Sequence, residues 1–166
     1  MNLNRDTFLA FCSEITGYSA VELEGTGLVD TYHQLLLKVL GEALSENLGL
    51  LVSDVLSQPA GSDARRKAYQ SSLMAPSLFQ PVVANLIQLW YLGVWTRLPD
   101  TWYGAVGRPI PGAADAGNTH VPCITAYTNQ LSYRSAFTNA PGSNPLGFAS
   151  WSYPPPDSPE GLALHH

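Results

Sequence analysis

A chain of 166 residues is one domain by length and is long enough to bury a real core. Its net charge of −5, with eight Lys and Arg that stand singly apart from Arg65-Arg66-Lys67, argues against a nucleic-acid footprint or an anionic membrane surface as the target. Charged residues make up 13% of the chain against roughly 25% in ordinary soluble domains, which predicts that less of the surface than usual faces water.

The first two thirds read as helices. Asn4 is placed to cap a helix from about Arg5 to Thr16, with Phe8, Phe11 and Ile15 on one face and Gly17 as the stop. A second helix runs from about Leu28 to Asn47, where Tyr32, Leu36, Val39, Leu40 and Ala43 recur at three and four residues. Gly49 is expected to end that stretch, and a shorter helix from about Leu50 to Leu56 follows. Ser62 or Asp63 caps a polar helix through about Met74. Pro76 and Pro81 lead into an apolar helix that ends near Leu98-Pro99. Its run Leu89-Trp90-Tyr91-Leu92-Gly93-Val94-Trp95 is apolar nearly all round at 100° per residue, so it needs cover on more than one side.

Beyond Pro99 the texture changes. Ten of the thirteen prolines lie at or after that position, and the last 68 residues hold only Asp100, Arg108, Asp115, Arg134, Asp157 and Glu160 as charges. Residues 100–123 read as one long Gly/Pro loop, longer than compact domains usually tolerate without a purpose. One more helix is expected from about Thr125 to Phe137. The tail from Pro141 to Pro156 is too aromatic for a disordered linker. The fold expected is all-α: an irregular multi-helix bundle in a single domain, with a helical core over residues 1–98 and a loop, one further helix and a Pro/Gly/aromatic-rich arm over 99–166.

Few residues invite chemistry. Cys12 and Cys123 match no zinc or CxxC spacing, and whether they form a disulfide stays open. His33 sits beside an apolar helical stripe and reads as a helix-surface or half-buried residue. His120 lies close to Cys123, which makes that pair the one candidate for nucleophilic catalysis. No P-loop or GxGxxG fingerprint is present, and the loop glycines alternate with prolines that cannot donate N–H groups to a phosphate. No bound cofactor or metal is expected in this chain. The pairs Trp102-Tyr103 and Trp151/Tyr153 suit either a stacked ligand or a protein interface, and an extended, charge-poor arm around them favours the interface. The expected partner-binding residues are Trp90, Tyr91, Trp95, Trp102, Tyr127, Tyr133, Phe148, Trp151 and Tyr153. No segment reaches the roughly 18 to 20 apolar residues of a membrane span, and MNLNRDTFLAFC lacks the regions of a signal peptide.

Three segments carry a resemblance: residues 87–94 (IQLWYLGV), 126–134 (AYTNQLSYR) and 145–155 (PLGFASWSYPP). Their order and spacing, with the opening FLAFCSEITGY at 8–18, resemble the small subunit of bacterial membrane-bound flavin dehydrogenases for sugars and sugar alcohols, the D-sorbitol, fructose and glucose dehydrogenase family. The resemblance implies a non-catalytic subunit that assists maturation, stability and export of a large subunit. That large subunit holds FAD and an iron–sulfur cluster and passes electrons to a multihaem cytochrome c subunit. It further implies a periplasmic place at the inner membrane, reached through partner subunits; members of that family often carry a twin-arginine signal on this subunit, and this chain is expected to begin after where such a signal would end. This chain has Ser143 and Asn144 where many members place a cysteine in the closing arm. The rival readings are a small enzyme built on His120 and Cys123, and a helical ligand carrier with an aromatic pocket.

Overall fold

The computed structural model describes residues 3–75, 77–138 and 140. The fold is all-α, with no β-strand among these residues and one isolated antiparallel bridge between Trp95 and His120.

Helix α1 spans Arg5–Thr16, as the cap and stop residues predict. Asn4 Oδ1 accepts from Thr7 N at 2.8 Å, and Gly17, at φ 75°, returns its N–H to Ser13 O. A five-residue helix α2 (Ala20–Glu24) follows, held by a capping box in which Ser19 and Glu22 each bond the other's backbone N–H. Helix α3 (Val29–Ser57) runs through Gly49, which is helical and buried; the break expected there falls instead at Gly41, with φ 70° and ψ 176°. That conformation is open in practice to glycine alone. Helix α4 (Asp63–Tyr69) is capped by Ser62 and passes into a π-helical turn, Gln70–Met74.

Helix α5 (Gln80–Leu92) ends six residues earlier than expected. The reason is Gly93, which at φ 68° leaves the helix and presses so close to the Ala126 carbonyl that a Cβ there would lie 2.4 Å from its oxygen. The chain then runs extended. The buried Asn85 side chain replaces the missing backbone partners, accepting from Thr96 N at 3.0 Å and donating to Thr96 O. Trp95 and His120 exchange N–H···O bonds of 3.0 Å, which pins the long loop to the core. Inside that loop stands a helix absent from the sequence reading, α6 (Asp100–Ala105), which buries Trp102 and Tyr103. The single helix expected from Thr125 to Phe137 is two: α7 (Ile124–Thr128) and α8 (Leu131–Ser135).

One continuous cluster of buried side chains joins Leu3, Phe8 and Leu36 to Trp90, Trp95, Trp102, Ala126 and Leu131, so the core reaches well past residue 98. Helix α1 packs on α2, α3 and α5, and α5 also meets α8 and the π turn, which supplies the cover its apolar circumference requires.

A candidate docking face at helices α7 and α8

Three of the expected partner-binding tryptophans face inward. Trp90 is fully buried, meets Tyr32 edge to face at 4.8 Å and lies beside the Cys12 thiol. Trp95 is fully buried, with Nε1 donating to Gly117 O at 3.3 Å. Trp102 is 4% exposed and donates to Leu78 O at 2.8 Å. Each ring fills the chain's own core, and two of the three indole N–H groups find a backbone carbonyl there, so these side chains leave no surface for a partner. Tyr91 is half-buried; its hydroxyl donates to Thr16 O at 2.9 Å and its ring meets Tyr18 edge to face. Phe148, Trp151 and Tyr153 lie outside the described residues.

Tyr127 remains exposed, and Tyr133 is half-buried beside it. Their rings meet at 6.1 Å and 80°, Tyr127 is 46% exposed, and a hydrogen-bonding contact with Tyr133 holds its hydroxyl above the ordinary phenol range. One turn before Tyr127 on the same helical face stands Ile124, 89% exposed. Val121 and Leu92, the latter adjoining the Gly93–Ala126 contact, are each about half exposed. These segments are anchored from beneath. Asn129 Nδ2 donates to Thr26 O at 2.8 Å, Tyr18 Oη meets Ser135 Oγ at 2.9 Å, and Ala126 and Leu131 are buried.

Phe137 is the sharpest feature of this face. After α8 the backbone closes with Thr138 N donating to Tyr133 O and Phe137 N to Arg134 O, the paired bonds of a Schellman motif. The left-handed position of that motif belongs to glycine by preference, yet here it holds a phenylalanine at φ 52° whose side chain is 99% exposed. A bulky residue there costs about 1 kcal/mol in backbone strain, and an exposed phenyl ring recovers none of it from the core. Neither Ile124 nor Phe137 stood out in the sequence, because helices this short show no periodicity from which to read a solvent-facing apolar residue.

The nucleophile reading finds no assembled dyad. His120 Nδ1 sits 2.8 Å from Asn118 O and Cys123 Sγ 3.1 Å from Thr125 Oγ1, with no hydrogen bond between His120 and Cys123 among the described residues. Cys12 and Cys123 are free thiols, the first buried and pushed far above the usual thiol range by desolvation. No group of three or more His, Cys, Asp or Glu side chains is gathered as a metal site among the described residues, and no helix among them is long and apolar enough to cross a membrane.

Compared with protein-family models, with curated proteins and with solved structures, the chain matches none.

Proposed function

We propose that this chain is a non-catalytic accessory subunit that docks through α7, α8 and the segment after them onto a larger flavin-dependent dehydrogenase for sugars or sugar alcohols. FAD and the iron–sulfur cluster belong to that larger subunit, a multihaem cytochrome c subunit takes the electrons, and the complex works on the periplasmic side of the inner membrane. The observation that carries the docking role is the group of solvent-exposed apolar side chains, Ile124 and Tyr127 on α7 and Phe137 just after α8, in segments hydrogen-bonded to the core beneath. Apolar groups displayed on a firm base suit contact with a preformed surface, because little side-chain or loop order remains to be lost on binding. The nature of the partner rests on the resemblance of residues 87–94, 126–134 and 145–155 to the small subunits of that dehydrogenase family.

The test is co-expression with a flavoprotein large subunit, reading flavin absorbance of the purified complex against large-subunit content. Ile124→Asp places a charge in the docking face and is expected to lower recovery of the flavin-loaded complex by about tenfold or more, as loss of a central apolar contact does. Equal recovery and flavin loading for parent and variant would remove α7 from the interface.

A further inference from the structure

The break in α3 opens onto a cleft remote in function from the docking face. Arg108, carried on the loop after α6, reaches back to α3 and donates through Nη1 to the Val39 carbonyl, two residues before Gly41. Its guanidinium lies over the break itself, where a Cβ on Gly41 would stand 3.4 Å from Nη2. The cleft beside it, about 210 Å³, is lined by Lys38 from α3, Tyr103 from α6, and Arg108 and Asp115 from the loop. Among the described residues, no carboxylate lies within ion-pair distance of Lys38 or Arg108. Asp115 turns Oδ2 to Gly112 N at 2.9 Å, and Tyr103 Oη donates to Gly117 O at 3.3 Å. Two cations and one carboxylate thus converge on a small concavity in a chain whose net charge is −5.

We propose that this cleft is a binding site for a small phosphate-bearing ligand. Arg108 supplies the remaining donors of its planar fork and Lys38 a mobile point charge, a pairing that suits a tetrahedral dianion. The volume fits a compact anion and falls below the roughly 300 to 1,000 Å³ of clefts that enclose larger organic ligands. Gly41 is the enabling residue: its non-helical conformation breaks α3 where Arg108 reaches the Val39 carbonyl, at the edge of the cleft that Lys38 also lines.

Inorganic phosphate is the probe, titrated into the full chain at low ionic strength and followed by calorimetry. Saturable binding with a dissociation constant of about 1 mM or tighter is expected. Lys38 is exposed, so Lys38→Glu leaves the fold intact, which far-UV circular dichroism checks, and it should weaken phosphate binding about tenfold or more. Lys67→Glu, the same charge change on α4 outside the cleft, should leave the constant within about twofold. Absence of saturation in the parent, or an equal loss in the Lys67 and Lys38 variants, overturns the site.

Discussion

The segment from Leu3 to Leu92 and the segment from Val94 to Thr138 are held together by different means. The first is built around α1, α3 and α5, helices of 12 to 29 residues with apolar faces, and has local stops: Asn4 and Gly17 bound α1, Ser19 and Glu22 cap α2, and Gly93 ends α5. The second consists of helices of five or six residues, too short to be stable alone. It is tied down by side chains that bond distant backbone: Asn85 to Thr96, Trp102 to Leu78, Arg108 to Val39, Asn129 to Thr26. Five of the nine large apolar residues exposed among the described residues, Ile110, Val121, Ile124, Tyr127 and Phe137, fall in this second segment. A layer whose conformation is dictated by the core beneath it is free to turn apolar side chains outward, since its own folding does not depend on burying them.

The largest effect, and the test that both segments rest on one core, should come from Trp90→Ala. This ring belongs to the common core, and its loss is expected to cost about 4 kcal/mol, lowering the thermal midpoint and loosening both segments together. Loss confined to α7 and α8, read by hydrogen exchange, would mean that the layers do not share this core. Gly93→Ala strikes the junction. Its Cβ has no room against the Ala126 carbonyl and the φ is positive, so about 3 kcal/mol is expected, with exchange rising first in residues 121–137. Uniform exchange along the chain would contradict a junction at this glycine. Asn85→Ala removes both bonds to Thr96 and leaves part-buried backbone groups without these partners, at about 2 kcal/mol; an unchanged denaturant midpoint would show that the extended segment holds itself.

Phe137→Gly should move the other way. Glycine relieves the left-handed strain and is expected to raise stability by about 1 kcal/mol in urea titration, while weakening the proposed complex. Destabilisation would show that the phenyl ring packs where it is now exposed. The smallest effect concerns the thiols: native protein treated with iodoacetamide should be labelled at Cys123, with Cys12 reacting after denaturation, because burial suppresses the Cys12 thiolate.

Legibility in the sequence follows the same division. The bounds of α1 were readable because Asn4 and Gly17 act locally, and the Ser19-x-x-Glu22 box carried a signal for α2 that a helix of five residues obscured. The break in α3 was not readable. Gly41 and Gly49 are equivalent by propensity, and what distinguishes Gly41 in the structure, the Arg108 side chain lying over it, comes from a loop far along the chain. The aromatic run at α5 announced contact but not its direction. Trp90, Trp95 and Trp102 turn inward to a core whose shape only the assembled helices define, whereas Ile124 and Phe137, single residues in short turns, carry the outward face.

Hydrogen–deuterium exchange of the full chain, alone and in the presence of the proposed partner, a flavoprotein large subunit, tests the docking face most directly. The account predicts added protection in residues 121–138, diminished in Phe137→Gly, with α1 and the first half of α3 unchanged. Protection concentrated on α1 and α3 with residues 121–138 unaltered would contradict it.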